Sequence, residues 1–530
     1  MTAPLAEVAA AVTRSGILAP MTPPALARMA GAVWRGPNIA TLLSISAARW
    51  PHRIALVDER SPLTFATLHH RVRALAGGLR TEYGVGHGDP VLVMCRNGRA
   101  FVEAALAAAL CGADMVLCNT EFHADALRRT LSEQRASVLI CDAEFIEKVR
   151  AAGYRGPLLV GAGGAECTLE ELIRLGHRAP GRIRPGRIVI LTSGTTGAPK
   201  GVPRRPSVRS FLGPGLSALH RLGLRGGSTI VVGIPLFHGF GLAVLALGLS
   251  LGGTLVLRRR FDPEAALAAT DIRRAEAWAV VPVMLQRVLD LPPEVRARYD
   301  TASLAAVLCG AAPLTPALAQ RFMDVFGEVL CNGYGSSEIG IAALATPAEL
   351  RAAPGTVGRP VAGAAVAVLD SAGRRVPAGG TGRICVGGAQ GFTGYSSGHD
   401  KQRVAGLIDS GDLGRFDAAG RLFVVGRSDD MIISGGENVY PQAVENVLAA
   451  HPDVSDVAVL GVDDEEYGQR LVAYVVAATG SSPSVTRLRE YLYPNVSRFE
   501  RPRDIMITGE IPRNAAGKID RTALRQQYGG

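Results

Sequence analysis

The feature that most constrains this chain is a regular alternation of short apolar runs with amphipathic segments over its first 360 or so residues. Residues 55–57, 91–94, 115–117, 138–141, 158–160, 187–191 and 229–233 read as strands, by length and β-branched content. Between them Leu68, Val72, Leu75 and Leu79 fall on one helical face, and 101–110 reads as a further helix. Parallel strands need a crossover of helical length, so this rhythm implies sheets covered by helices. No internal repeat or low-complexity tract interrupts it.

Past residue 360 the texture changes. Residues 364–369, 382–386 and 421–425 are short strands divided by turns such as Asp417-Ala418-Ala419-Gly420, a pattern expected of a small β-rich, barrel-like unit. Beyond Gly426 a fresh α/β unit begins, with a helix at 441–450 and strands at 457–461 and 471–476 flanking an acidic turn at 463–466. The chain of 530 residues exceeds one ordinary core. The expected fold is therefore α/β: an accessory segment over 1–38, a large domain of βα-layered subdomains plus the barrel-like unit over 39–428, and a mobile α+β domain over 429–530.

Composition narrows the function. Hydrophobic residues make up 48% and charged residues 20%, as in a globular protein. The net charge of +10 is spread without a dense basic block beyond runs such as Arg258 to Arg260, and aromatics are sparse, so a nucleic-acid partner is not expected. The eight cysteines form no CxxC and no zinc spacing; most sit in apolar stretches, which fits buried free thiols in a reduced, cytoplasmic setting. The N-terminus has no basic stretch leading into an apolar one, as a secretory signal would. Residues 239–257 carry no charge, but Gly252 and Gly253 divide them into a short helix at 242–251 and a strand at 254–257 rather than a membrane span.

The densest chemistry lies at 192–201. A buried strand runs into four hydroxyl residues (Thr192, Ser193, Thr195, Thr196), three glycines (Gly194, Gly197, Gly201) and Lys200. Glycines admit an anion to the backbone, and hydroxyls and N–H groups donate to it, so this is a phosphate loop by composition. It is not a Walker A motif, since no glycine directly precedes the lysine and no Ser or Thr follows it. The chain has only four lysines, Lys148, Lys200, Lys401 and Lys518, among 57 basic residues, which hints that each marks a place needing a compact ammonium.

The loop resembles the signature of the adenylate-forming (ANL) superfamily, which includes acyl-CoA synthetases, peptide-synthetase adenylation domains and luciferases. The resemblance recurs in order over about residues 40–525. Pro235-Leu236-Phe237-His238 looks like the motif bordering the acyl pocket, and Gly310-Ala311-Ala312-Pro313 like the segment lining the adenine and acyl sites. Asn332-Gly333-Tyr334-Gly335-Ser336-Ser337-Glu338 resembles the motif whose Tyr stacks on adenine, whose Ser contacts phosphate and whose Glu serves Mg²⁺. Ser410-Gly411-Asp412 is similar to the family's Thr-Gly-Asp, with Asp412 implied on the ribose hydroxyls; Arg427 is implied as a second ribose or phosphate contact, and Asp429 as the hinge. Gly435 and Gly436 resemble the stretch lining a pantetheine tunnel, and Lys518 the lysine that bridges acid and α-phosphate. Lys401 matches no such position and is expected on a solvated surface. Ser410 in place of the usual Thr, and the missing aromatics at 405–408, depart from the pattern without removing a functional group.

The resemblance implies an acid activated with ATP and Mg²⁺ through an acyl-adenylate, then passed to CoA, as in actinobacterial fatty-acyl-CoA synthetases. Catalytic residues would be Lys518, Thr196, Glu338 and His238. The alternative acceptors are a carrier protein or an amine, including activation of an unusual acid such as nitrite. The acid pocket is expected to involve His238, Gly239, Phe240, Gly241, Cys309, Gly310, Ser336 and Gly340. Its small residues leave room for a chain or ring, and no charge stands out there to fix an amine, which disfavours an amino acid.

Overall fold

The computed structural model describes residues 12–528, apart from 14, 17–20, 163–167, 194–198, 206–207, 389–391, 393, 397, 399, 435–436 and 465–467. The predicted strands build two helix-covered sheets in a large N-terminal domain and one sheet in a small C-terminal domain. The first sheet runs Leu158–Val160, Val138–Cys141, Pro90–Met94, Asp114–Leu117, Ile188–Ser193, Pro199–Arg204. Its first five strands are parallel; the last is the antiparallel hairpin partner of Ile188–Ser193. Asp114–Leu117 and Val138–Cys141 are buried at every position, as strands covered on both faces require.

The second sheet opens as a parallel array: Ile54–Val57, Thr254–Leu257, Thr229–Val232, Ala277–Val280, Ala306–Gly310, Leu330–Ser336. It then turns antiparallel through Gly340–Ala345 and Thr356–Pro360 into Leu422–Arg427, Leu407–Phe416, Gly382–Gly388 and Ala364–Leu369. Ala364–Leu369 packs back on Gly340–Ala345 and Thr356–Pro360, so this end curls like a barrel, without a closing ladder among the described residues. The change of texture near residue 360 falls after this switch, which lies between Leu330–Ser336 and Gly340–Ala345, and marks the start of the curled antiparallel end. It is not a break in the sheet, since Thr356–Pro360 pairs antiparallel with Gly340–Ala345 on one side and Leu422–Arg427 on the other.

The alanine-rich helix Arg99–Cys111 is buried at every position but Leu110. Small side chains let it pack closely, and its two charges are both paired. Arg99 Nη2 donates to Asp58 Oδ1 at 2.6 Å, and Glu103 Oε1 accepts from Arg71 Nε at 2.6 Å. An unpaired charge at such depth would cost several kcal/mol, about 3–5 when one partner is removed. The uncharged run at 239–257 is helix Gly239–Leu251, a left-handed cap at Gly252 and strand Thr254–Leu257 inside the second sheet. No described helix is long and apolar enough to cross a membrane. The seven described cysteines are free and buried, and Cys167 lies outside the described residues.

The C-terminal sheet runs Glu437–Val439, Ile432–Ser434, Gly468–Ala477, Val454–Asp464, with Asp504–Thr508 parallel to Gly468–Ala477. Helices Pro441–Leu448 and Val485–Leu492 cover one face with Val444, Leu448, Leu488 and Leu492, and Leu524 closes the other. The expected acidic turn is corrected here. Asp463 and Asp464 are ladder residues opposite Gln469 and Gly468, because the two long strands keep pairing to the tip, and 465–467 lie outside the described residues. From the accessory segment, helix Pro23–Trp34 packs on helix Ile39–Arg49. The carboxyl ends of the parallel strands, where ligand sites form in such sheets, carry the motifs at 192–201, 235–238, 310–313 and 332–338.

Candidate active site

Thr192 and Ser193 continue strand Ile188–Ser193 two residues past the expected end, paired with Lys200 and Pro199. Hydroxyl residues tolerate a ladder, so the signature string is strand at 192–193 and 199–201 rather than loop from Thr192 onward. Gly194, Thr195, Thr196 and Gly197 lie outside the described residues. Lys200 Nζ sits 5.5 Å from the ring centre of Tyr395, and Ser396 N–H donates to Gly201 O at 2.8 Å.

Three residues from three strands of the second sheet meet here. The Tyr334 hydroxyl donates to Asp412 Oδ2 at 2.6 Å, and Arg427 Nη1 donates to Asp412 Oδ1 at 3.4 Å. Asp412 and Arg427 are ladder partners on Leu407–Phe416 and Leu422–Arg427. Gly411, at φ +82°, makes the bend before Asp412, and a Cβ there would stand 3.2 Å from Arg427 Nη2. Ser410 is buried; its hydroxyl donates to Ile384 O at 2.7 Å and accepts from Asp412 N–H at 3.1 Å. It thus supplies the hydroxyl that the usual Thr would. Behind Tyr334, buried Asn332 donates through Nδ2 to Thr356 O at 3.2 Å.

Glu338 is half-buried beside this group. Its Oε2 accepts from Ser336 Oγ at 2.8 Å, and its Oε1 from the Tyr395 hydroxyl at 3.0 Å. Burial works to raise its pKa, but the charge of Lys401 and the two hydroxyls outweigh it and hold the carboxyl below its ordinary value. The Ser337 carbonyl accepts from Arg204 Nε at 3.0 Å and Nη2 at 2.6 Å.

The segments expected to border the acyl group lie close to one another. His238 caps helix Gly239–Leu251, and its Nε2 is shielded with no hydrogen-bond partner among the described residues. Burial, then the charge of Lys518, lowers its pKa to about 4, so it is a neutral imidazole at working pH. Buried Asn97 fixes the lead-in, donating to Ile234 O and accepting from Leu236 N–H, each at 2.8 Å. Cys309 and Gly310 pair with Asn332 and Gly333, and Gly310 stands against Phe240. Burial pushes the Cys309 thiol far up, so it is an inert buried thiol rather than a nucleophile. Ala311 is held at φ +67°, a strained value for a residue with a Cβ, immediately before Ala312. Gly340 pairs with Ser336 across the turn that carries Ser337 and Glu338; Gly335 and Gly241 pack against backbone.

Lys518 arrives from the C-terminal domain on a tight turn. Asn514 Oδ1 accepts from Ala516 N–H at 3.0 Å and Lys518 N–H at 3.1 Å, and Arg513 Nη2 grips both oxygens of Asp456 at 2.7 and 2.9 Å. Gly517, at φ +75°, lies so close to the large domain that a Cβ would stand 2.8 Å from Val281 Cγ2, at the end of strand Ala277–Val280. Lys518 keeps solvent access, yet burial lowers its pKa; Asp412 and Glu338 oppose the shift while Arg427 adds to it. Lys518 is therefore within electrostatic reach of Asp412, Arg427, Glu338 and His238 at once. Asp429 is exposed and accepts from Arg427 Nη2 at 3.0 Å. Gly435 and Gly436 lie outside the described residues.

The expectation for Lys401 is wrong. It is half-buried, and its Nζ donates to Ser410 O at 2.7 Å. Arg403–Val404 pairs with Leu407–Phe416, which holds the neighbouring Lys401 against that strand, where its charge acts on Glu338. Tyr395, Arg204 and Asn97 were also missed as site residues. Only the scarcity of lysine pointed to Lys401; the other three hold the site through contacts that sequence spacing does not encode.

The chain matches the AMP-binding enzyme family over residues 43–396 and the AMP-binding enzyme C-terminal domain over 443–518. It is 33% identical over 484 residues to a feruloyl-CoA synthase of Amycolatopsis sp, covering 90% of this chain and 96% of that one. It is 32% identical over 517 residues to a fatty acid–[acyl-carrier-protein] ligase of Streptomyces coeruleorubidus, covering 93% and 98%. The solved structure of an amide bond synthetase from Marinactinospora thermotolerans superposes with a TM-score of 0.81 at 28% identity, covering 93% of this chain and all of that one. With this fold, these motifs and these matches, the chain belongs to the AMP-binding, adenylate-forming enzyme family.

Proposed function

We propose that the enzyme joins a carboxylic acid to the α-phosphate of ATP, expels pyrophosphate, and passes the acyl group to the thiol of CoA. The observation that carries this reading is the packing of Gly517 on Val281 of the large domain, which brings the Lys518 charge within electrostatic range of Asp412, Glu338 and His238. A carboxylate is already a nucleophile at neutral pH, so the barrier is the approach of two anions, and catalysis is mostly positioning and charge neutralisation. Lys518 holds the acid and the α-phosphate together. Tyr334 stacks on adenine, Asp412 accepts the ribose hydroxyls, Arg427 is the second ribose or phosphate contact, and Thr192 to Lys200 hold the leaving pyrophosphate. His238, Phe240, Gly310 and Gly340 border the acyl group.

A single half-buried carboxylate, Glu338, suits Mg²⁺, which takes one or two carboxylates and completes its shell with phosphate oxygens and water. The ion, when bound, neutralises charge on the phosphates. The chain's own part is to keep Glu338 ionised and aimed, through Lys401 and Ser336. For thiol transfer the domain from residue 429 onward turns about Asp429, moving Lys518 out and bringing Gly435 and Gly436 in.

Lys518→Ala is the test. Acid-dependent exchange of pyrophosphate into ATP should fall by at least 100-fold, while a supplied acyl-adenylate is still consumed by CoA. Exchange at near wild-type rate would overturn the assignment. The second acceptor reading rests on the carrier-protein ligase and the amide bond synthetase among the similar proteins. Product formation from one acid with CoA, a holo carrier protein or an amine decides between them.

A further inference from the structure

Tyr395 touches both ends of the triphosphate site and has no part in the reaction as derived above. Its hydroxyl donates to Glu338 Oε1 at 3.0 Å, and its ring carries Lys200 Nζ at 5.5 Å from the centroid, within cation–π range. Its own position is fixed. Phe392, 2% exposed, meets the ring edge-on at 4.8 Å and 70°, and the neighbouring Ser396 N–H is bonded to Gly201 O, next to Lys200 on the same strand. Burial, then the charge of Glu338, raises the phenol pKa, so the hydroxyl remains a donor.

A carboxylate offers about four acceptor positions. On Glu338 the hydroxyls of Tyr395 and Ser336 take one on each oxygen, which pins the carboxyl plane and leaves the others for a cation. Resting on the reading that Glu338 serves Mg²⁺ and Lys200 the pyrophosphate, we propose that Tyr395 is a positioning residue that couples the two. Its hydroxyl fixes the carboxylate and its ring fixes the lysine, so that metal and ammonium meet the ATP phosphates at a set separation.

Tyr395→Phe keeps the ring, the Phe392 contact and the Ser396 bond, and removes only the hydroxyl. Mn²⁺ affinity is read by electron paramagnetic resonance in the presence of α,β-methylene-ATP, on the full chain. Y395F should weaken Mn²⁺ about tenfold, in line with the loss of a partner that orients a metal ligand. The Mg²⁺ half-saturation of pyrophosphate exchange should rise by the same factor, with the KM for ATP unchanged at saturating Mg²⁺. Tyr395→Leu removes the ring as well and should also weaken pyrophosphate in the reverse reaction. A merely structural role would lower thermal stability and leave Mn²⁺ affinity alone, which overturns the proposal. Glu338→Gln is the control. If it weakens Mn²⁺ and Y395F does not, the coupling fails alone; if neither does, the reading of Glu338 fails and the coupling with it.

Discussion

The Tyr334 hydroxyl and the Asp412 carboxylate form a 2.6 Å hydrogen bond between Leu330–Ser336 and Leu407–Phe416, two strands of the same sheet. On the proposed reading, in which the Tyr334 ring stacks on adenine and Asp412 accepts the ribose hydroxyls, the two are thus one unit, and a nucleotide that engages either finds the other already oriented. A hydrogen bond to a charged acceptor contributes about 1.5–3 kcal/mol. Tyr334→Phe should therefore raise the KM for ATP by roughly tenfold with kcat nearly unchanged, if the loss is one of uniform binding. The discriminating measurement uses 2′-deoxy-ATP. Its penalty against ATP should shrink in Y334F, because an unanchored Asp412 reads the ribose less well. An undiminished penalty would mean that Asp412 is held by Arg427 alone.

Much of this site was legible because its parts are local. The parallel strands announce themselves as unbroken apolar runs such as Val138–Cys141, and several motifs, such as Gly310-Ala311-Ala312-Pro313 after Ala306–Gly310, sit at a strand end, where short chemical strings stay recognisable. What escaped was of two kinds. Thr192 and Ser193 suit a ladder as well as a loop, so composition could not fix where strand Ile188–Ser193 ends. Lys401, Tyr395 and Arg204 act on Glu338 or its turn from other segments, at separations of 57 residues for Tyr395 and 133 from Arg204 to Ser337. Nothing periodic in a sequence records such a meeting. The same holds for Arg71 and Glu103, whose pairing explains a carboxylate in an otherwise apolar helix.

His238 makes stability depend on pH in a defined direction. Its folded-state pKa of about 4 lies below the ordinary 6.5, so between these values the unfolded chain takes up a proton that the folded chain refuses. The contribution of His238 is fully present above about pH 6.5, and is lost as pH falls through the folded value near 4. His238→Phe removes the titration and keeps a ring in the pocket. Denaturant unfolding of both proteins at pH 7.5 and 5 should show the variant gaining on wild type at the lower pH. A difference in stability that is the same at both values would mean that His238 is protonated, or exposed, in the folded enzyme.

The presentation of Lys518 can be separated from its charge. The turn at 513–519 owes its shape to Asn514, whose Oδ1 accepts both the Ala516 and Lys518 N–H groups while its own N–H donates to Lys518 O at 2.9 Å. Asn514→Ala removes both side-chain bonds at a cost of about 1–3 kcal/mol in turn stability, and leaves the ammonium intact. The gripping of Asp456 by Arg513 keeps the base of the turn on the C-terminal sheet, so the domain itself should remain folded. Adenylation should then fall about tenfold or more, since a displacement of the order of 1 Å in a positioning group carries losses of that size. Consumption of a supplied adenylate by the thiol, which on the proposed reading moves Lys518 away, should be unaffected. Parallel loss of both half-reactions in N514A would instead tie the turn to the hinge motion, and wild-type adenylation would mean that docking of Gly517 on Val281 is enough to place the lysine.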